Sequence, residues 1–233
     1  MKSENKELII FMPSIEIGGG VEKNFIILTN FLIRKIKNVS IITTSRKHKR
    51  YLNKKINYIS LNANFWDKIG RRKKFFLSLI ILFRKLIFNK NVTVLSFQGH
   101  VYCILLCKLM NVKVIVRSNT SPFGWSNNFI KKFLYKIIYS LADEIIVNSS
   151  EFKKEMKRKF NLNAKSIYNP LNFSQINKFS KKKINFKFFT KNSLNLINVA
   201  RLNEQKDQIT LLKSINFLKK KIPIKLLIIG NGE

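Results

Sequence analysis

Short apolar runs alternate with longer segments of helical period along most of the chain. The strand-like runs are Glu7–Pro13, Asn38–Thr44, Ile56–Leu61, Asn91–Phe97, Val112–Ser118 and Asp143–Ser149. Segments of helical period lie between them, at 21–36, 66–88, 100–110, 128–142 and 150–162. This alternation is typical of a parallel sheet with helices on both faces. We therefore predict an α/β protein whose first domain, residues 1–170, is a Rossmann-like unit of six or seven β/α repeats.

The pattern breaks after this first domain. Residues 171–192 are basic and have no clear period, so we predict an interdomain linker there. From residue 193 the chain again contains a strand (SLNLINVA), a helix (QITLLKSINFLKKKI) and a strand (IPIKLLIIG). One β-α-β unit cannot cover both faces of its own sheet. We therefore expect residues 193–233 to be the start of a second Rossmann-like domain that is incomplete.

The charge balance is the unusual feature of the composition. Lys and Arg total 45 against 12 Asp and Glu, which gives a net charge of +33. Such an excess attracts nucleic acid, anionic membranes or phosphorylated substrates. The chain is also crowded with Lys, Asn, Ile and Phe, as expected of AT-rich codons, so mutational bias is an equally good explanation. The two cysteines, Cys103 and Cys107, share one helical face and are predicted to be buried structural residues in a reducing cytoplasm.

The segment IGRRKKFFLSLIILFRKLIF combines cations with an apolar face. Its longest apolar run, Phe75–Phe88, is interrupted by Arg84 and Lys85 and is shorter than the ~20 residues of a spanning helix. We predict that it does not cross a membrane. Two interpretations remain open: an interfacial helix on an anionic membrane surface, or a core-packing helix with snorkelling Lys and Arg side chains.

Two groups of residues are candidates for binding phosphate. Gly18, Gly19 and Gly20 follow the first strand, where glycines let backbone N–H groups approach an anion at a helix N-terminus. A tight turn without a ligand is the alternative, and the spacing is not that of a dinucleotide fingerprint. Arg201 and Lys206 follow a strand and would clamp a diphosphate at its carboxyl end, Arg201 by paired hydrogen bonds. On spacing alone, two solvated cations are an equally simple interpretation.

Four segments in the right order resemble the family 4 retaining glycosyltransferases. They are IIFMPSIEIGGGVEKNFIILTNFL, DEIIVNSSEFKKEM, SIYNPLN and NVARLNEQKDQITLLKSI followed by KLLIIGNGE. The last is similar to a strand, a G-R-L-x-x-x-K-x loop, a helix and a strand ending in G-x-G, with Ala200 and Ser214 in place of the usual Gly and Ala. The resemblance implies a GT-B fold, with two Rossmann-like domains, and a sugar transferase that uses a nucleoside-diphosphate sugar.

The resemblance also implies roles for individual residues. Arg201 and Lys206 would be catalytic, because they would hold the donor pyrophosphate and stabilise the departing nucleoside diphosphate. Gly19 and Gly20 would bring the backbone close to donor or acceptor. Asn119 stands in the Arg-Ser-Asn segment where the family often has His, and we expect it to bind substrate. His100 is a further substrate-binding candidate, with a plain helix-start residue as the alternative.

Partners and location follow as expectations from the same resemblance. The donor is a nucleoside-diphosphate sugar, no cofactor or metal is expected, and the acceptor is a cell-envelope glycan, such as lipopolysaccharide, or a lipid-linked molecule. We expect a cytoplasmic protein with peripheral contact at the inner face of the cytoplasmic membrane. The family's E-x7-E segment, which contacts the donor sugar, is expected downstream of G-x-G, whereas this sequence ends at Glu233.

The alternative is a non-enzymatic basic α/β protein that binds nucleic acid or an anionic membrane. The sequence contains no recognition-helix, zinc or aromatic RNA-binding motif, so we expect no specific nucleic acid. A nicotinamide-dependent Rossmann enzyme is disfavoured, because the dinucleotide fingerprint and its downstream acidic residue are missing.

Overall fold

A computed structural model describes residues 6–15, 19–44, 49–60, 69–120, 128–183 and 186–232. It divides the chain into two compact units, Met1–Asn172 (unit 1) and Phe173–Glu233 (unit 2). The division falls inside the segment 171–192 that we predicted as a linker, and Phe173–Ser180 forms a helix there. Its apolar residues Phe173, Ile176 and Phe179 are spaced three apart, which is close to a helical repeat. Because it spans only two turns of a basic segment, this pattern is too short to predict a helix.

Unit 1 contains a seven-stranded sheet in which every strand pair is parallel. Its strands are β1 Glu7–Phe11, β2 Val39–Ile42, β3 Asn57–Ile59, β4 Val92–Ser96, β5 Lys113–Ser118, β6 Glu144–Val147 and β7 Lys165–Ser166. The spatial order is β3-β2-β1-β4-β5-β6-β7. This doubly wound order confirms the predicted Rossmann-like fold. The order in which strands are added reverses between β1 and β4, where such sheets bind ligands.

Helices cover the sheet on both faces. They are α1 Gly20–Leu32, α2 Arg71–Phe88, α3 His100–Leu109, α4 Phe129–Ser140 and α5 Ser150–Phe160. Strand β1 alternates between two cores: Ile9 and Phe11 pack with α2 to α5, whereas Ile10 packs with α1. Cys103 and Cys107 are free thiols buried in the first core, which confirms their predicted place. Burial of both faces explains why the strands are continuous apolar runs.

A buried carboxylate fixes α2 to the beginning of the sheet. Glu7 is only 8% exposed, and its side chain accepts hydrogen bonds from Ser40 Oγ and from Asn89 Nδ2 at 3.1 Å. It also pairs with Lys85 Nζ at 3.1 Å. Lys85 lies in the last turn of α2, so the opposite end of this helix, at Arg71, points toward the carboxyl edge of the sheet. The predicted helix 66–88 is observed from Arg71. Residues 61–68 lie outside the described ranges.

Unit 2 contains one β-α-β unit, as predicted. Helix α6 is Phe173–Ser180, strands β8 Leu194–Val199 and β9 Ile224–Ile229 pair in parallel, and α7 Gln208–Leu218 connects them. None of its described side chains is buried, and Ile197 and Val199 are 57% and 72% exposed. One helix cannot cover both faces of a two-stranded sheet, which accounts for this exposure.

Replacing Glu7 tests the attachment of α2. Glu7→Ala leaves Lys85, Ser40 and Asn89 without their acceptor, so we expect a loss of about 2–3 kcal/mol in the free energy of unfolding, measured in urea. Glu144→Ala is the matched control, since its partner Lys165 is 67% exposed at the side chain. That variant should lose no more than about 1 kcal/mol. Equal losses in the two variants would contradict the assignment.

Candidate functional site

A cavity of about 850 Å³ lies at the carboxyl ends of the unit 1 strands. Its lining comes from the start of α1, the start of α2, the β4–α3 turn and the residues after β5; these are Val21, Arg71, Arg72, Phe75, Phe76, Leu79, Phe97, Gln98, Gly99, His100, Tyr102, Asn119 and Thr120. The cavity therefore occupies the region beside β1 and β4 where the strand order reverses. Ligands of open α/β sheets bind at this position.

His100, the first residue of α3, lines this cavity as a neutral side chain. Burial lowers the pKa of its imidazole to about 4. Its Nδ1 atom lies 2.9 Å from Ser96 Oγ, and the Ser96 hydroxyl donates to the carbonyl oxygen of Gln98 at 3.1 Å. Because a hydroxyl has one proton, His100 Nδ1 is then the donor and Nε2 retains a lone pair. Such a side chain can accept a hydrogen bond from a ligand hydroxyl at neutral pH.

Asn119 follows β5 and lines the same cavity. Its Nδ2 atom donates to the carbonyl oxygen of Arg117 at 3.4 Å, whereas its Oδ1 atom is buried without a hydrogen-bond partner. Leaving a buried acceptor unpaired costs about 1–3 kcal/mol, so this atom is poised to accept a hydrogen bond from a ligand. The structure thus brings His100 and Asn119 together at one cavity.

Arg117 does not line the cavity. Its side chain is 1% exposed, and Nη2 donates to the Ile167 carbonyl at 3.2 Å and to Asn169 Oδ1 at 3.0 Å. Burial lowers the pKa of this guanidinium from its usual range. In the segment Arg117-Ser118-Asn119, Arg117 thus joins β5 to the segment after β7, whereas Asn119 faces the cavity.

Three described glycines at and near the cavity differ in how well they would tolerate a side chain. Gly19 is the N-cap of α1, and a Cβ there would meet only the carboxylate of Glu22, which can move aside at the end of its flexible side chain; a Cβ on Gly20 would meet nothing within 4 Å. Gly18 lies outside the described residues. The sequence argument missed Gly99, which has a φ of +65° and whose Cβ would lie 2.8 Å from the Phe75 ring. Glycine adopts this conformation without steric cost, and the missing side chain allows α3 to begin against α2.

The first turns of α2 form the wall that the sequence argument did not assign to a site. Arg71 and Arg72 are exposed there, and the Arg71 guanidinium lies 5.6 Å from the Phe75 ring centroid. Phe76 and Tyr102 line the cavity as well, yet they are 65% and 63% exposed. The cationic and aromatic composition of this segment was visible in the sequence. Its position beside His100 depends on tertiary packing.

In unit 2, Arg201 and Lys206 are both exposed on the loop that leaves the carboxyl end of β8. Gly230 allows the end of β9 to approach this loop, because a Cβ there would collide with the Ala200 carbonyl oxygen. Main-chain hydrogen bonds join the two segments, from Leu202 N to the Asn231 carbonyl at 2.9 Å and from Ala200 N to the Ile229 carbonyl at 3.1 Å. These contacts hold the loop at the carboxyl end of β8, the edge where α/β units bind phosphates.

The same loop contains a buried polar atom without a hydrogen-bond partner. Asn203 Oδ1, between Arg201 and Lys206 in the chain, makes no hydrogen bond. Sequence reasoning missed it, because burial of this amide follows from the fold of the loop. Asp207 closes the loop with a φ of +46° and accepts a hydrogen bond from Thr210 N at 3.2 Å, which caps α7.

Within the described ranges, no group of three or more His, Cys, Asp or Glu side chains is arranged to hold a metal ion. The described helices also include none that is long and apolar enough to cross a membrane. The expectation that no cofactor is needed stays a prediction.

A doubly wound parallel domain followed by a β-α-β unit with a cationic loop is the arrangement of the GT-B class of α/β proteins. The family comparison identifies the chain more closely. The model of Glycosyltransferase Family 4 matches residues 18–175, and the chain belongs to this family. The match includes every residue that lines the unit 1 cavity.

Individual relatives agree with this family. An uncharacterized glycosyltransferase of Methanocaldococcus jannaschii, MJ1059, is 31% identical over 144 residues, which cover 56% of this chain and 36% of that protein. Among solved structures, Anabaena Alr3699/HepE in complex with UDP and glucose has a TM-score of 0.63 at 12% identity, covering 98% of this chain and 62% of its own. TarM from S. aureus has a TM-score of 0.67 at 10% identity, covering 100% and 73%. This chain therefore spans about a third of the curated relative and under two thirds of HepE.

Gly99 and Gly20 form a matched pair for testing the cavity wall. Gly99→Ala forces a side chain into a left-handed conformation and against Phe75, so we expect a loss of about 1–3 kcal/mol in the free energy of unfolding. Gly20→Ala meets open space at the start of a helix and should leave stability unchanged or slightly higher. Urea unfolding of both variants checks this contrast. A stable Gly99→Ala protein would contradict the described contact.

The pKa of His100 predicts how stability depends on pH. A pKa that falls from the ordinary 6.5 to about 4 on folding means that the unfolded chain takes up the proton first. The contribution of the neutral His100 side chain to the free energy of unfolding is therefore complete above pH 6.5 and decreases as the pH falls toward 4. Between pH 7 and pH 5, the wild type should lose about 2 kcal/mol more than His100→Gln. Parallel pH dependences of the two proteins, measured by urea unfolding, would show that the imidazole is not desolvated.

Proposed function

We propose that this protein takes part in transfer of a sugar from a nucleoside-diphosphate sugar to a hydroxyl of a cell-envelope glycan or lipid-linked acceptor. Membership of Glycosyltransferase Family 4 and the cationic loop at the carboxyl end of β8 support the donor side of this proposal. The HepE structure contains UDP and glucose, which supports a nucleotide sugar as the donor class. The loop of Arg201 and Lys206 is the single observation on which the donor assignment depends.

On the donor side, Arg201 and Lys206 bind the diphosphate. The guanidinium offers paired donors to two phosphate oxygens, and the ammonium acts as a compact charge. During transfer, the bond between the anomeric carbon and the phosphate oxygen breaks, and negative charge grows on the diphosphate. Two fixed cations stabilise this charge more strongly in the transition state than in the bound donor, which lowers the barrier.

On the acceptor side, the unit 1 cavity binds the molecule that receives the sugar. His100 Nε2 and Asn119 Oδ1 are two acceptors that orient its hydroxyl groups. Gly20 allows the backbone at the start of α1 to approach the ligand. The Glu22 carboxylate lies against Gly19, so this helix start repels a second anion and favours hydroxyl groups. This combination of neutral acceptors suits a sugar or polyol.

We place the protein in the cytoplasm, at the inner face of the cytoplasmic membrane. The basis is the net charge of +33 together with the exposed aromatic and cationic residues at the cavity wall. Anionic lipid headgroups attract each such cation by about 1 kcal/mol.

Nucleotide binding tests the donor assignment. Arg201→Ala and Lys206→Ala should each weaken binding of UDP about tenfold, which corresponds to about 1.4 kcal/mol, because each removes one charged contact to the diphosphate. Isothermal titration calorimetry at low salt measures the change. UDP is the probe because it carries the diphosphate without the sugar.

Lys213→Ala is the matched control, since it removes one exposed cation from α7 while leaving the loop intact. It should bind UDP as the wild type does. Equal weakening in all three variants would indicate general charge attraction. Unchanged binding in both loop variants would exclude these residues as the diphosphate site.

A further inference from the structure

Asn203 is joined by its main chain to both cations of the unit 2 loop. Its N–H group donates to the Arg201 carbonyl at 3.2 Å, and its own carbonyl accepts from Lys206 N at 3.0 Å. The residues Glu204–Lys206 form one turn of 3-10 helix, and Asn203 is the residue that precedes this turn. The side chain of Asn203 therefore begins between the two cations, at the carboxyl end of β8.

The side-chain oxygen of Asn203 has no hydrogen-bond donor within the loop. Gln208 Nε2 donates to the Arg201 carbonyl at 2.9 Å instead. At the start of α7, Thr210 N donates to Asp207 Oδ1 at 3.2 Å. Asn203 Oδ1 is shielded from solvent and makes no hydrogen bond. Native structures retain few unpaired buried acceptors, because such atoms are costly, so this oxygen points to a donor that a ligand supplies.

The diphosphate of a nucleotide sugar cannot supply that donor. Its oxygens are ionised at neutral pH and only accept hydrogen bonds. Arg201 and Lys206 match these oxygens, since both side chains carry donors and no acceptor. An amide oxygen would present its negative end to them, which is unfavourable. The groups with a proton to donate lie on either side of the diphosphate: the hydroxyls of the transferred sugar and the hydroxyls of the ribose.

We propose that Asn203 is a specificity-determining residue of the donor site, and that its Oδ1 atom accepts a hydrogen bond from a donor hydroxyl next to the diphosphate. This assignment rests on the proposed function, because it requires the diphosphate to lie at Arg201 and Lys206. The two cations supply affinity for any diphosphate. Asn203 distinguishes a ligand with a hydroxyl at the correct position from one without it, since the acceptor would otherwise stay unpaired.

A ligand can reach the Asn203 oxygen without a change in the loop. The side chain is partly exposed, although Oδ1 itself is shielded. The last torsion of an asparagine side chain has broad energy wells, so rotation about the Cβ–Cγ bond brings the oxygen toward a ligand at small cost. The main-chain hydrogen bonds of Asn203 with Arg201 and Lys206 are unaffected by this rotation.

A series of three probes tests the assignment by isothermal titration calorimetry at low salt. Inorganic pyrophosphate has phosphate oxygens alone, UDP adds the nucleoside, and UDP-glucose adds a sugar. Asn203→Ala should bind pyrophosphate as well as the wild type or better, because only an acceptor is removed. It should lose about tenfold in affinity for the first probe that contains the matching hydroxyl. A loss that begins with UDP identifies the ribose, and a loss that begins with UDP-glucose identifies the sugar.

Two further variants separate hydrogen bonding from support of the loop. Asn203→Asp keeps an acceptor and adds a negative charge, so all three probes should weaken while their relative affinities stay close to those of the wild type. Asn195→Ala is the matched control, because Asn195 lies at the amino end of β8 and donates to the Thr190 carbonyl at 2.8 Å. It should bind all three probes as the wild type does. Circular dichroism melting confirms that each variant is folded.

Two outcomes would overturn the proposal. Equal losses for all three probes in Asn203→Ala would show that the side chain only supports the loop. Unchanged binding of all three would show that no ligand hydroxyl reaches the oxygen. These results are distinct from failure of the donor assignment, in which UDP binding does not depend on Arg201 or Lys206. Binding that depends on the two cations and not on Asn203 rejects this inference alone.

Discussion

Strand β1 is buried along its whole length, and this burial determines where a ligand can bind to unit 1. Its side chains serve two cores in alternation, so helices close both faces of the central sheet. At the amino end, Glu7 is occupied by Lys85, Ser40 and Asn89. At the carboxyl end, the strand order reverses between β1 and β4, and the connections leave the sheet in opposite directions. The cavity forms where they separate. The clamp at Glu7 also directs the first turns of α2 to that edge, so one buried carboxylate at the far end of the sheet positions the arginine wall of the cavity.

Unit 2 maintains its candidate site by different means. It has no buried side chain among residues 173–183 and 186–232, so a hydrophobic core does not hold the Arg201 loop in place. Main-chain hydrogen bonds to the turn after β9 and the close approach at Gly230 do so instead. Backbone contacts of this kind fix the path of the loop while leaving the side chains of Arg201 and Lys206 in solvent.

The strands of unit 1 could be predicted because burial on two faces gives unbroken apolar runs, and chain order then predicts a doubly wound sheet. The helix predicted over 66–88 is observed over Arg71–Phe88, and its predicted start at Trp66 lies outside the described residues. His100 and Asn119 were accessible as polar residues that follow strands. The conformation of Gly99 and the unpaired oxygens of Asn119 and Asn203 were not, since a positive φ and a buried acceptor depend on neighbours distant in sequence. Helix α2 was the ambiguous case, because one amphipathic pattern serves both packing and surface binding. The structure shows the packing face, where Leu82 and Leu86 are buried, and an opposite face on which Phe76 and Phe83 are exposed.

The distribution of charge across the cavity follows a physical requirement. Arg71 and Arg72 are exposed, where water reduces the cost of holding two like charges together. Farther in, the low dielectric that would make a cation expensive lowers the pKa of His100 and keeps the imidazole neutral. The cations of the described lining therefore lie at the mouth, and the side chains of His100 and Asn119 are uncharged. A protonated His100 would donate from both nitrogens and could no longer accept a hydrogen bond from a hydroxyl. Burial of this one ring thus sets the polarity of the inner cavity, independently of the large positive charge of the chain.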